Sequence, residues 1–394
     1  MSNQYSPKPS INEREMRGQS IAQRFGWVQR VDENSYRVHS QTRDADYAVI
    51  STEAGWNCAC PDFQYRGQKC KHIWGVEISW TLRKRVEQST VIQPVGIKDC
   101  VYCKSAHLKK SGVRKTVSGG IQRFACLDCR RTFSINIGFE KMRASPQAIT
   151  SALQLYFTGE SLRNVQKFLR LQGVSISHVS VSAWIEKYVG LMGDYLEQMK
   201  PQLGDTWRTD EMYVKFKGNP KWLFAMMDDE TRFWIAQQIT EKKWYSDVRP
   251  MFRDAEQKAG KRPKILISDG AHNFETATRK EWFSLRRERN VVHVRDIRLG
   301  GEVHNNKMER MNGEVRDREK TMRGLKREDT PILKGLRLFH NYIRSHEGLG
   351  GKTPSEVAGV KVEGENKWQT IIQNASIAAH KTVAQDAFSK HLEG

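Results

Sequence analysis

The sequence predicts a multidomain α/β protein: a mixed sheet with flanking helices in its second half, preceded by two small zinc modules and a helical domain. Three observations carry that prediction. Residues 205–360 alternate strand-like and helix-like patterns. All seven cysteines fall between residues 58 and 129, in two clusters. Lys and Arg together number 65 against 45 Asp and Glu, and the formal charge of +20 favours a polyanionic partner, with nucleic acid the first choice.

Residues 1–25 are polar and are expected to be flexible or weakly helical. They lack the apolar centre of a secretory signal, and no stretch of the chain approaches the roughly 20 apolar residues of a membrane span. A cytoplasmic, nucleoid-associated protein with no membrane partner is expected. An odd number of clustered cysteines argues against a disulfide framework and for metal binding in a reducing compartment.

Residues 26–90 combine short strands (SYRVHS, DYAVIS, WNCAC) with one helix (HIWGVEISWTLRKRV). Cys58, Cys60, Cys70 and His72 offer three thiols and an imidazole, a set that tetrahedral Zn²⁺ accepts. Pro61-Asp62-Phe63 bends the chain back between the two pairs. Residues 95–140 hold Cys100, Cys103, Cys126 and Cys129, two C-x-x-C knuckles joined by strands that carry Arg114, Lys115 and Arg123, with Arg130 and Arg131 following. Two structural zinc ions would use all seven cysteines. Zinc staples small domains that lack a core of their own; contact of either module with DNA or with protein stays open.

Residues 145–198 read as three helices. Ser145-Pro146 starts the first and Gly159 breaks it; Ser161 caps the second, which ends at Gly173; the third starts near Ser177. Val181, Trp184, Ile185 and Tyr188 form its buried side, and Ser180, Ser182, Glu186 and Lys187 the other. Three short helices with glycine breaks fit a helix-turn-helix domain whose third helix enters the major groove. An ordinary three-helix connector fits as well.

From residue 206 the order is strand (TWRTDEMYVKF), strand (WLFAMMD), strand (FWIAQQI), helix (244–259), strand (KILIS), helix from about 274, strand (VVHVRD) and helix (304–322). That is the order of an RNase H-like fold. It brings the first strand, the end of the fourth and the last helix to one sheet edge, where Asp210, Asp269 and Glu309 lie. Converging carboxylates hold Mg²⁺ or Mn²⁺ and can drive in-line attack on a phosphodiester. Strand alternation sets Asp210 and Glu211 on opposite faces, and Asp210 is preferred. Asp228, Asp229 and Glu230 read as a solvated turn, and Glu314 as the rival to Glu309. Lys307, Arg310, Arg316, Arg318, Lys320, Arg323, Lys326 and Arg327 read as a clamp on DNA phosphates. Asn305, Asn306 and Asn312 are candidates to orient the strand or the acids. His272 is a candidate phosphate contact, with a capping or core role as its competitor. Residues 361–394 read as a polar tail with one possible short helix.

Several strings resemble known families. Cys58 to His72, with its CPDF and CKHI strings, resembles the SWIM zinc finger. GESLRNVQKFLRLQGV resembles the helix-turn-helix of many insertion-sequence transposases. TDE, SDG and NNKMERMNGEVRDREKTMRGLK, in that order, resemble the DDE transposases of prokaryotic insertion sequences, and FHNYIRSHEGLGGKTPSEVAG (339–359) is similar to the segment that ends their catalytic domain. The resemblance covers roughly residues 145–360. It implies metal binding by Asp210, Asp269 and Glu309, cleavage and joining of double-stranded DNA at element ends and target, and a homodimer or larger assembly. The alternatives are a domesticated zinc-finger regulator without transposition and a nuclease of the same fold without strand joining.

Overall fold

The computed structural model describes residues 13–22, 27–31, 34–52, 55–86, 90–96, 99–116, 119–134, 136–285, 290–295, 305–322, 325 and 330–392. At the N-terminal end, helix α1 (Glu13–Ala22) packs on α3 (Lys71–Val86). Between them in sequence lie β1 (Val28–Arg30), β2 (Ser35–His39), β3 (Asp46–Thr52) and β4 (Gly55–Cys58), one antiparallel sheet, and the short α2 (Pro61–Arg66). Within the N-terminus expected to be flexible or weakly helical, residues 13–22 form the helix α1. Ile21 is fully buried with Val38, Val49, Ile73 and Val76. The helices approach closely because Gly18 and Gly75 meet: a Cβ on Gly18 would overlap Trp74. The rest of that expectation, residues 1–12 and 23–25, lies outside the described residues.

After β5 (Thr90–Ile92), strands β6 (Leu108–Thr116), β7 (Gly119–Cys126) and β8 (Thr132–Ser134) form a three-stranded antiparallel sheet. Three helices follow: α4 (Pro146–Thr158), α5 (Leu162–Leu171) and α6 (His178–Glu197). Each starts where a serine oxygen accepts a backbone N–H. Ser145 accepts from Ala148 at 3.2 Å, Ser161 from Asn164 at 3.2 Å and Ser177 from Ser180 at 3.1 Å. Those bonds satisfy donors the helix itself cannot.

The sheet of the second half contains β9 (Thr206–Phe216), β10 (Asn219–Asp228), β11 (Trp234–Thr240), β12 (Ile265–Ile267) and β13 (Val292–Val294), in the order β11-β10-β9-β12-β13. The first three pair antiparallel; β12 pairs parallel with both β9 and β13. This is the RNase H-like topology that the element order predicts. Helices α7 (Tyr245–Ala259) and α8 (His272–Trp282) cover one face, where Trp207 meets Trp282 and Phe224 meets Phe274. Helix α9 (Asn306–Met322) lies on the other face.

Helix α10 (Pro331–Leu338) runs into a π-helical turn, Phe339–Ile343, and then α11 (Pro354–Val357), β14 (Val360–Val362) and α12 (Lys367–Leu392). The polar tail expected from residue 361 is a correction. β14 pairs parallel with β5, and α12 is 26 residues long. Its first turns bury Trp368, Ile371 and Ile372, with Trp368 in contact with both Phe157 and Phe339 at ring distances of 5.7 and 6.2 Å. The apolar residues there are interspersed with polar ones, and long-range partners make them core. Among the described residues, no helix is long and apolar enough to cross a membrane.

Candidate active site

Asp210 lies in β9, opposite Ala225 of β10, and so on the α9 face; Glu211 lies opposite Phe224, on the α7/α8 face. Asp269 stands two residues beyond β12, and Glu309 in the first turn of α9. Carboxylate oxygens of Asp210, Glu211 and Asp269 all lie within 4.8 Å of one another. Glu309 stands outside that tight group, near enough that its charge acts on Asp210.

The inclusion of Glu211 runs against strand alternation, and the sheet explains it. β12 pairs with β9 only over Thr206–Arg208, and β9 continues to Phe216. Past Arg208 that edge of β9 is open to the loop after β12. Asp269 there reaches carboxylates from both faces. Gly270 makes the turn possible: its φ is 91°, and a Cβ would meet the Arg295 carbonyl at 2.8 Å.

Asp210 is held on both oxygens. Asn312 Nδ2 donates to Oδ2 at 2.8 Å, and the Glu211 N–H donates to Oδ1 at 2.9 Å. Asn305 Nδ2 reaches the Thr209 carbonyl at 3.5 Å, so two of the three asparagines noted in the sequence tie α9 to β9. Burial, with the charges of Asp269, Glu211 and Glu309, pushes the Asp210 carboxyl up to about 7. Burial also raises Glu211, as does Asp269, against the pull of Lys243, whose Nζ stands 2.7 Å from Glu211 Oε1. Glu211 Oε2 is buried without a hydrogen-bond partner. Crowded carboxylates with an orphaned oxygen form a donor set that fits a hard divalent cation. Sequence reasoning passed over Glu211 and Lys243; the shortness of β12 was the signal for the first, and nothing local marks the second.

The acidic turn after β10 is a second correction. Asp228 and Asp229 are buried, not solvated. Asp228 accepts from Gly204 N at 2.8 Å and from Thr231 N and Oγ1 at 2.7 Å. Asp229 pairs with Arg208 and takes Lys307 Nζ at 2.8 Å. These two cations hold its carboxyl below the ordinary range despite burial. Lys307 is therefore an internal tie from α9 to the sheet, not part of a clamp. Arg318 bonds the Thr158 carbonyl at the end of α4, and Lys320 pairs with Asp317. Arg310 and Arg316 are exposed; Arg323, Lys326 and Arg327 lie outside the described residues. Glu314 pairs with Arg344. His272 opens α8 with its side chain exposed, in neither a core nor a side-chain capping position.

The cysteines converge as two sets. Cys58, Cys60, Cys70 and His72 form one and Cys100, Cys103, Cys126 and Cys129 the other, each with ligand atoms within 4.8 Å. Cys100 and Cys129 stand 3.6 Å apart, as do Cys103 and Cys126, and Cys58 Sγ lies 3.8 Å from His72 Nδ1. Thiolates about 2.3 Å from a tetrahedral zinc are separated by about that much. Both knuckles of the second set place the next residue, Lys104 and Arg130, at φ near +60°. These clusters imply zinc.

Residues 204–346 match the family model described as a DDE domain, and residues 49–80 that of the SWIM zinc finger. Curated proteins similar to this chain include the transposase for insertion sequence-like element IS431mec of Staphylococcus aureus (strains Mu50 and N315). The transposase for insertion sequence element IS257 in transposon Tn4003 of Staphylococcus aureus is another. Each is 25% identical over 146 residues, which span 36% of this chain and 63% of the relative. The match thus spans under two thirds of those relatives. Among solved structures, the HTLV-2 integrase catalytic core domain in complex with magnesium (trimeric form) is 17% identical. It covers 40% of this chain and 99% of that one at a TM-score of 0.30. The simian T-cell lymphotropic virus intasome in complex with PP2A regulatory subunit B56 gamma is 16% identical, covering 52% and 72% at a TM-score of 0.31. The fold assignment rests on strand order and register. This chain carries a DDE domain, with a SWIM zinc finger ahead of it.

Proposed function

We propose that the chain is a DNA transposase that cuts element ends and joins them to target DNA, with Asp210, Asp269 and Glu309 as ligands of Mg²⁺ or Mn²⁺. The observation that carries this reading is the convergence of Asp210 and Glu211 of β9 with Asp269 just beyond β12 inside the DDE domain, with Glu309 near enough for its charge to act on Asp210. Bound divalent ions supply activation of the attacking hydroxyl and stabilisation of the leaving 3′-oxygen. The chain's own residues do the positioning. Asn312 and the Glu211 amide fix both oxygens of Asp210, and the Lys307–Asp229–Arg208 tie fixes α9 against the sheet. Correct placement of reacting groups supplies much of the rate in reactions of this type.

Zn²⁺ at the two cysteine clusters holds modules whose own cores are small. Exposed Arg114, Arg123, Arg130 and Arg131 on the second module suit phosphate contacts. In the helical domain, α6 takes the major groove, and Arg163, Lys167 and Arg170 on the exposed side of α5 contact phosphates. Paired element ends call for a dimer or a larger assembly. The intact acids weigh against a regulator without catalysis.

The test uses purified full-length protein, labelled element ends, a plasmid target and Mg²⁺. Asp210→Ala, Asp269→Ala and Glu309→Ala should each abolish cleavage and leave end binding intact. Cleavage retained by any of the three removes that residue from the site.

A further inference from the structure

The side of α9 turned away from Asp210 carries a second charged site. Lys307, Met311 and Glu314 project about 140–200° around the helix from Glu309, at about 100° per residue. Together with Arg310 they line a cavity of about 240 Å³ closed by Arg232, His340 and His346. The backbone of Arg232 is left-handed, with φ of 58°, a conformation a non-glycine side chain rarely adopts. Two hydrogen bonds hold it there: its N–H donates to the Asp228 carbonyl at 3.0 Å, and its own carbonyl lies 2.9 Å from His340 Nε2, in the π-helical turn. Its guanidinium lies against Gly348, where a Cβ would overlap it. Strain, a buried histidine and a bare glycine together aim this side chain into the cavity.

The charges there do not cancel. Lys307 is engaged by Asp229, and Glu314 by Arg344. Burial lowers His340 to about 4 and His346 to about 3, so both are neutral near pH 7. Neither Arg232 nor Arg310 has a carboxylate within 4 Å among the described residues. Two guanidinium groups thus face one cavity with neither ion-paired among the described residues, and the carboxylate that lines it, Glu314, is taken by Arg344. Burial, then the charge of Arg310, disfavours the Arg232 cation, and the more distant charges of Asp229 and Glu314 only partly offset them. Asn306 and Arg310 are exposed at the rim, so the cavity can be entered.

We propose that the Arg232–Arg310 pocket binds a backbone phosphate of the DNA. Paired guanidinium forks match the tetrahedral oxygens of a phosphate. The pocket lies across α9 from Glu309, a distance of about 10 Å for a helix with its side chains. At 3.4 Å of rise per nucleotide, that is about three nucleotides from the phosphate at the carboxylates. The proposal rests on the reading of the chain as a DNA-cutting enzyme, and the pocket would set the register of the strand over Asp210.

The full chain is compared with Arg310→Gln, Arg232→Gln and Gly348→Ala, and with Arg253→Gln as a control on an exposed arginine paired with Glu281. Arg310 is exposed, so its variant tests the pocket without disturbing the core. Duplex binding is measured from 50 to 200 mM salt without divalent ions. Thermal stability is measured in inorganic phosphate against chloride at equal ionic strength. The two arginine variants should each flatten the slope of log K against log salt by about 0.9, the loss of one phosphate contact. They should also lose the phosphate-induced stabilisation of the wild type. Gly348→Ala keeps both charges but displaces the Arg232 head, and should lose that stabilisation too. Duplex binding with slopes equal to the Arg253→Gln control overturns the pocket alone. Stabilisation by phosphate without a change in slope also overturns it, since the pocket then takes a free anion and not DNA. No duplex binding by the wild type overturns the proposed function, and the pocket with it.

Discussion

The cysteine cluster around Cys58 and the carboxylate cluster around Asp210 both suit cations and are opposite in design. All four ligands of the first are buried and lie within a short stretch of chain. The second joins Asp210 and Glu211 of β9 to Asp269, about 60 residues further along the chain beyond β12, and Asp269 is exposed. Structural zinc sites are closed, whereas catalytic metal sites keep positions open. A closed thiolate site contributes directly to folding. An open carboxylate site is a standing repulsion that the rest of the domain must tolerate.

The largest test of that contrast is removal of zinc. Binding free energies for structural zinc in small fingers are about 10–16 kcal/mol at neutral pH, more than a module of this size can otherwise supply. Chelation, or Cys70→Ser, should abolish amide protection in β2, β3 and α3 while α7 and β9 keep theirs. Hydrogen exchange followed by mass spectrometry reads both regions at once. Protection surviving in α3 after chelation would break the comparison.

A smaller effect is expected where the acid site is braced. Asp229 is buried between Arg208 and Lys307. Asp229→Ala leaves both cations without their shared partner, and removing one member of a buried ion pair costs about 3–5 kcal/mol. Urea denaturation should show that loss in the second half of the chain. A change below about 1 kcal/mol would mean that α9 is held by its apolar face, through Met308, Met311 and Val315, and not by the ion network.

What the sequence made legible follows the same division. Metal pairs at short spacing, serine caps and the strand–helix order are local patterns, and they located both cysteine clusters, three helix starts and the RNase H-like topology. Features that depend on distant partners were not legible. Asp229 reads as a solvated turn until Lys307 arrives from α9, and Trp368 reads as part of a polar tail until Phe157 and Phe339 stack on it. Glu211 was set aside because alternation puts it on the face opposite Asp210, which bars a shared partner only where a neighbouring strand flanks that edge. β12 is too short to provide one beyond Arg208.

The smallest and most specific effect concerns Asp210 itself. Its carboxyl rises from 3.8 to about 7 in the folded chain, first through burial and then through Asp269, Glu211 and Glu309. The folded state therefore holds this proton more tightly than the unfolded state does. The stabilisation is complete below about pH 4 and is lost as pH climbs to about 7. Without divalent ions, Asp210→Asn should be more stable than the wild type at pH 7.5, by about 2–4 °C in Tm for each kcal/mol of repulsion relieved. At pH 4 the two should agree. Mg²⁺ reverses the order, since the cation favours the ionised carboxylates. It should raise the wild-type Tm more at pH 7.5 than at pH 5.5, and leave Asp210→Asn nearly unmoved. An equal Mg²⁺ response in both proteins would mean that the open cluster is not where the cation sits.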